Sequence, residues 1–134
     1  MADDTFAQGG GSTFVTATGA HTAEENLPQV MKTGTLRMKP KWNKFFYVIR
    51  GDLRELQYFK KEQANPSSPT DSPKGVIKLT QCTGIKPNSK EKKYPHCFEI
   101  EMGKKTVVFS ADAPDEAQSW MHHLRRFVVL HENL

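Results

Sequence analysis

Pro114-Asp115-Glu116-Ala117-Gln118-Ser119-Trp120-Met121-His122-His123-Leu124-Arg125-Arg126-Phe127-Val128 is the one strongly helical run in this chain. Its apolar members Ala117, Trp120, Met121, Leu124, Phe127 and Val128 recur at i, i+3, i+4, i+7, i+10 and i+11, a single stripe at 3.6 residues per turn. Pro114 suits a first helical turn because it lacks the N–H that would go unsatisfied there, and Asp112 or Asp115 can cap it. Arg125 and Arg126 lie toward the far end, where positive charge suits the helix dipole. One terminal helix with one apolar face needs a sheet to cover. The reading is therefore mainly β with one C-terminal α-helix: a small sandwich or barrel closed by that helix, suited to binding more than to chemistry.

Working back toward the start, the chain reads as short strands. Thr35 to Met38 alternates, and Pro40 interrupts it after Lys39. Trp42 to Arg50 is rich in aromatic and β-branched residues. Gly51-Asp52 predicts a tight turn into Glu55 to Lys60. Lys61 to Pro73, with Pro66, Pro69 and Pro73, reads as a mobile loop. Gly75 to Leu79 is a fourth strand and Cys82 to Ile85 a fifth, followed by a lysine-rich loop from Pro87 to Lys93. His96 to Met102 and Lys105 to Ser110 form a hairpin about Gly103, which makes seven strands and one helix. Residues 1–30 are rich in Gly, Ala, Thr and Ser and show no sustained apolar period. Such a stretch cannot offset its ordering entropy and is expected to be a disordered tail, leaving the domain at 31–131.

At 134 residues the chain supports one domain with a modest core. No run of 18 or more apolar residues exists to span a membrane. Nothing at the start reads as a signal peptide, Ala2 excludes myristoylation at a glycine, and no prenylation cysteine ends the chain, so a cytoplasmic location is expected. Cys82 and Cys97 are too few for a disulfide framework and are expected as free thiols. Charge is unevenly divided. Residues 1–30 carry Asp3, Asp4, Glu24 and Glu25 and no Lys or Arg, whereas the remainder carries all 19 basic residues against 11 acidic ones, a net of +8. A cationic domain of this kind makes an anionic partner plausible.

The pieces together resemble a known family. Lys32-Thr33-Gly34-Thr35-Leu36 resembles the K-x-G-x-L opening of pleckstrin homology (PH) domains, and Trp42-Asn43-Lys44-Phe45-Phe46-Tyr47-Val48-Ile49 their second strand. Leu56-Gln57-Tyr58-Phe59, Gly75-Val76-Ile77-Lys78-Leu79 and Cys97-Phe98-Glu99-Ile100 resemble the third, fourth and sixth. Trp120 matches the tryptophan of the final helix, and its place on the apolar stripe makes it a core plug. The resemblance spans about residues 31–130 and implies a seven-stranded sandwich of two near-orthogonal antiparallel sheets capped by the helix.

No catalytic constellation is visible. Ser119, His122 and His123 share one helix, but neighbouring positions diverge by about 100° and no acid orients either imidazole. His21, His96 and His131 make no metal-ligand spacing, and the triple glycine at 9–11 lacks a strand–helix frame for phosphate. Glu99 and Glu101 lie on one face of a strand, as solvated carboxylates do. Neither an enzyme, a metal site nor a cofactor is expected.

What remains is basic residues around loops. Lys32, Arg37, Lys39, Lys41 and Lys44 fall within thirteen positions. Headgroup phosphates need several cations with N–H donors at close range, because each contact alone is weakened by water and salt. In PH domains that grip phosphoinositides in the usual cup, the resemblance places a Lys and an Arg where this chain has Met38 and Phe45. The basic residues stand one step off, at Lys39 and Lys44, and a one-residue offset on a strand turns a side chain to the opposite face. Leu36 to Trp42 is also a short connection for the family.

That offset resembles spectrin-type PH domains, whose headgroup lies outside the cup between the first loop and the loop joining strands five and six. The resemblance implies Lys39, Lys41, Trp42 and Lys44 on one wall and Lys90, Lys92, Lys93 and Tyr94 on the other, with Lys32 and Arg37 as secondary candidates. Trp42, if exposed, adds interfacial insertion, whereas Phe45 is expected in the core. The expected function is reversible, monomeric recruitment of a signalling module to phosphoinositide-containing membranes, as a peripheral membrane protein. The alternative is a protein-interaction PH domain of an adaptor or GTPase regulator that binds little lipid. Nucleic acid is not expected, because the cations are not interleaved with stacking aromatics. Ser68-Pro69 and Ser72-Pro73 resemble proline-directed phosphorylation sites, where a phosphate would add nearly two negative charges near the cationic end.

Overall fold

The computed structural model describes residues 27–132. Most of the expected tail, residues 1–26, lies outside the described residues. The strands are β1 (Lys32–Met38), β2 (Asn43–Arg50), β3 (Glu55–Phe59), β4 (Gly75–Lys78), β5 (Gly84–Asn88), β6 (Cys97–Met102) and β7 (Lys105–Ser110), followed by the helix α1 (Pro114–Glu132). They form one sheet in the order β4-β3-β2-β1-β7-β6-β5, and every pairing is antiparallel. The junction between the two halves is narrow. Strands β1 and β7 share only the pairs Arg37↔Ser110 and Met38↔Phe109, extended by the Lys39 amide donating to the Val108 carbonyl at 3.0 Å. Strands β4 and β5 stand at the two edges and do not pair, so the sheet is not closed.

Helix α1 covers the gap in the way its sequence pattern requires. Ala117, Trp120, Met121, Leu124 and Phe127 are all buried, and they join Leu36, Tyr47, Ile49, Leu56, Phe98, Ile100 and Phe109 in one core. Pro114 opens the helix, with Asp115 and Glu116 in its first turn. Asp112 is committed elsewhere: its carboxylate accepts from the Thr35 hydroxyl at 3.4 Å and lies 3.1 Å from Lys44 Nζ, tying the helix entrance to β1 and β2. Gly34 explains itself against Trp120, because a Cβ there would lie 3.3 Å from Trp120 Cζ2. The opening glycine is a place for the indole.

Three boundaries differ from the sequence expectation, each for a local reason. The fifth strand is Gly84–Asn88, not Cys82–Ile85. Leu79–Gln81 curls into a single 3-10 turn, and the Cys82 amide donates to the Leu79 carbonyl at 3.1 Å, so Leu79 and Cys82 are buried by a turn. Pro87 can then sit inside β5, because an edge strand does not need every N–H. Trp42 precedes β2 and takes a left-handed backbone conformation, φ 61°. Residues 27–30, expected in the tail, pack on the domain. Leu27 is in the core, and the Gln29 carbonyl accepts from the Gly51 amide at 3.2 Å and from Arg50 Nε at 3.1 Å. Gly51 has no room for a side chain there, since a Cβ would meet the Pro28 carbonyl oxygen at 2.3 Å.

Both cysteines are free and buried, and burial pushes the Cys82 thiol up to about 11. Among the described residues no group of His, Cys, Asp and Glu could hold a metal ion, and no helix is long and apolar enough to cross a membrane.

Gly34→Val should destabilise the domain by about 1–3 kcal/mol through overpacking against Trp120, read as a lower urea midpoint with unchanged slope. A second outcome concerns acid. Arg50 Nε and Nη2 reach Asp52 Oδ1 and Oδ2 at 3.0 and 2.8 Å, and this fork holds the Asp52 carboxyl below the usual carboxylate range. A depressed carboxyl stabilises the fold above its unfolded pKa, and that contribution is lost as pH falls through its folded value. Asp52→Asn should therefore lower stability at neutral pH and flatten its decline on acidification, measured by denaturation at stepped pH.

Candidate functional site

The short link between β1 and β2, residues 39–42, is shaped by its backbone. The Trp42 amide donates to the Met38 carbonyl at 2.8 Å, and Arg37 Nη1 donates to the Trp42 carbonyl at 3.0 Å. Trp42 has a left-handed backbone, and the residue is only 5% exposed. Its ring packs on Tyr94 with centroids 5.2 Å apart, and the Arg37 guanidinium stacks on the same Tyr94 ring at 4.9 Å. A cation over an aromatic face contributes about 0.5–1 kcal/mol at exposed sites and more when desolvated. The condition set for interfacial insertion, an exposed Trp42, is not met, because the residue is buried and its indole packs on Tyr94.

Tyr94 is held in place by its own loop, residues 89–96 between β5 and β6. The Asn88 side-chain oxygen accepts the Lys90 and Glu91 amides at 2.8 and 3.3 Å and turns the chain at the start of the loop. At its end the Ser110 hydroxyl donates to the Pro95 carbonyl at 2.6 Å, the Ala111 amide to the His96 carbonyl at 3.1 Å, and the Cys97 thiol to the Tyr94 carbonyl at 3.2 Å. Glu91, three residues before Tyr94, forms an ion pair with Lys39. The two loops therefore meet through one aromatic contact and one ion pair.

Register explains which face the cations occupy. Leu36 pairs with Phe45 and Arg37 with Lys44. Leu36 is buried, and Met38 and Phe45 pack on the core, so the two positions that would carry cup cations hold apolar side chains turned inward. Arg37 and Lys44 alternate to the opposite face, where Arg37 meets Tyr94 and Lys44 meets Asp112. Lys41, Lys90, Lys92 and Lys93 are exposed. Lys32 does not join this group. It lies at the other end of β1, 3.4 Å from Glu116 and 5.2 Å over the Trp120 ring.

Around the two loops, Arg37, Lys39, Lys41, Lys44, Lys90, Lys92 and Lys93 stand against the acidic Glu91 and Asp112. The surface is positive, yet two of its lysines are locally offset. Two further basic groupings escaped the sequence reading. Lys86 on β5 faces Glu99 and Glu101 at 3.6 and 3.0 Å and shares a small hollow with Lys90. Lys60, Lys61 and Lys74 bracket the β3–β4 loop, with Lys74 Nζ 5.7 Å over the Phe45 ring. The signal for the second group was present in sequence as basic residues at both ends of a proline-rich loop, but their proximity depends on how that loop closes.

The family model for the PH domain matches residues 27–129. Pleckstrin homology domain-containing protein 1 of Arabidopsis thaliana is 29% identical over 90 residues, covering 67% of this chain and 60% of that protein. Ras GTPase-activating protein 1 of Rattus norvegicus is 26% identical over 112 residues, 78% of this chain but only 10% of that protein. The chain therefore corresponds to less than two thirds of either relative. Among solved structures, the C-terminal PH domain of pleckstrin in complex with D-myo-Ins(1,2,3,5,6)P5 superposes with a TM-score of 0.57 at 20% identity, covering 77% of this chain and 99% of that one. At that identity the likeness is one of fold.

Removing the Tyr94 ring should unseal the first loop. In Tyr94→Ala, Trp42 emission should shift to the red and become accessible to acrylamide, while Trp120, fully buried under the helix, should keep its shielded signal. Identical quenching in the two proteins would contradict the packing described.

Proposed function

The chain belongs to the PH domain family, and from that premise we propose that it is a non-catalytic module for reversible recruitment to phosphoinositide-containing membranes. The proposed surface lies outside the usual cup and is formed by Lys39, Lys41 and Lys44 on one wall and Lys90, Lys92 and Lys93 on the other. The observation that carries this reading is the meeting of the two loops at Lys39–Glu91 and Trp42–Tyr94, which supports a surface shared by both sets of lysines. Apolar Met38 and Phe45 argue against a headgroup gripped from inside the cup. The inositol phosphate bound by the pleckstrin domain is in keeping with such a ligand class.

Affinity on this reading is mainly electrostatic. Each lysine near an anionic leaflet contributes about 1 kcal/mol before screening, and attraction between exposed charges fades beyond about 8 Å at physiological salt. Trp42 and Tyr94 brace the loops and stay out of the bilayer. Glu91 and Asp112 temper Lys39 and Lys44, which suits reversible binding and a location at the cytoplasmic face of a membrane.

A second reading, protein interaction in an adaptor or GTPase regulator, is favoured by that same offsetting of Lys39 and Lys44 and by the similarity to a Ras GTPase-activating protein. Co-sedimentation with phosphoinositide vesicles separates the two. Lys39→Glu combined with Lys41→Glu should weaken binding by about tenfold or more, and Glu91→Gln should strengthen it, with both effects shrinking as salt rises. Binding left intact in the double variant would remove the proposed surface. Absent vesicle binding, with a pull-down partner retained at high salt, would decide for protein interaction.

A further inference from the structure

The β3–β4 loop holds two Ser-Pro steps, and the fold treats them differently. Ser68 lies in a turn, its amide donating to the Asn65 carbonyl at 2.9 Å. Ser72 instead lines an open cavity of about 260 Å³ together with Lys60, Lys61, Asp71 and Lys74. A buried glutamine ties two of the lining residues together. Gln63 is 4% exposed; its Nε2 donates to Asp71 Oδ2 at 2.8 Å and to the Lys61 carbonyl at 3.1 Å, and its Oε1 accepts from the Asp71 amide at 3.3 Å. These bonds draw the two ends of the loop together and commit the one carboxylate of the cavity to an amide partner. The Lys74 amide donates to the Tyr58 carbonyl at 2.7 Å and fixes the returning strand. None of the three lysines forms an ion pair with another described residue. Ser72 and Pro73 are both exposed.

We propose that Ser72 is a phosphoacceptor for a proline-directed kinase and that its phosphate settles among Lys60, Lys61 and Lys74. In the transfer, the Ser72 hydroxyl oxygen bonds to the γ-phosphorus of a nucleoside triphosphate. The bond from that phosphorus to the β–γ bridging oxygen breaks, the nucleoside diphosphate leaves, and the hydroxyl proton passes to the kinase's base. The phosphate brings between one and a half and two negative charges, about, and three strong acceptor oxygens. Three lysines line the same cavity, and ammonium groups suit a phosphate as point-charge partners. Occupied in this way, the corner is closed to any other anion. Ser68 carries the same local motif but is not part of this lysine-lined cavity, so the structure distinguishes two steps that the sequence leaves equivalent. The site uses none of the lysines of the membrane surface proposed above and does not depend on it.

The test uses the full chain, a purified proline-directed kinase with nucleoside triphosphate, site mapping by mass spectrometry, and a phosphorus NMR titration of the product. Ser72→Ala and Ser68→Ala assign the two signals. The second ionisation of a phosphoserine ordinarily falls near pH ~6. At Ser72 it should lie lower than at Ser68 by about one unit, as nearby cations produce, and Lys60→Ala with Lys74→Ala should bring it back. Failure of the kinase to modify Ser72 in the folded chain would overturn the acceptor. Titration of phosphorylated Ser72 indistinguishable from that of Ser68, or unmoved by the lysine variants, would overturn the lysine cradle.

Discussion

Trp120 lying against the bare α-carbon of Gly34 is the contact on which the architecture depends. The sheet is joined in its middle by two residue pairs and left unpaired at β4 and β5, so backbone hydrogen bonding alone does not enclose a core. Enclosure comes from one helix that lays its apolar stripe into the open side, with the largest side chain of the stripe entering where the sheet offers no Cβ. Burying such a side chain is worth about 1.5–3 kcal/mol or more in apolar transfer alone, a large share of the margin of a small domain. The Asp112 contacts to Thr35 and Lys44 hold the helix entrance in register with β1 and β2.

With the core assigned to the helix, recognition is left to loops, and the loops are stiffened by aromatic and polar contacts of their own. Tyr94 has Trp42 on one side and the Arg37 guanidinium stacked on its ring. This stack turns a conspicuous tryptophan into a brace and removes Arg37 from the pool of free cations. The lysines nearest the brace are tempered by ion pairs, Lys39 with Glu91 and Lys44 with Asp112, whereas Lys41, Lys92 and Lys93 form no ion pair with another described residue. Counting basic residues overstates the charge such a surface presents, because what reaches a partner is the part left after local pairing.

Legibility followed the range of the interactions involved. The helix, its stripe and its proline start were readable because a 3.6-residue period is a local property of the chain. Strands β2, β3, β6 and β7 were readable from dense aromatic and β-branched runs. The fifth strand starts later than its apolar pattern predicts because Leu79 and Cys82 are apolar for a different reason, the burial of a 3-10 turn under the helix. Leu27 reads as tail because a single apolar residue in polar surroundings carries no period, yet it reaches the core. The offset of Lys39 and Lys44 from the usual positions was visible in sequence, and the strand register puts Arg37 and Lys44 on the face opposite Leu36 and Phe45.

By itself, then, the amino-acid order determined the class of fold, the plugging role of Trp120 and the absence of cations at positions 38 and 45. Each of these depends on residues close together along the chain or on their alternation. Tertiary structure alone decided that Glu91 answers Lys39 across 52 positions, that Tyr94 packs on Trp42, and that Lys60, Lys61 and Lys74 line one cavity with Ser72. Those partnerships arise from loops meeting in space, and no periodicity records where a loop will close.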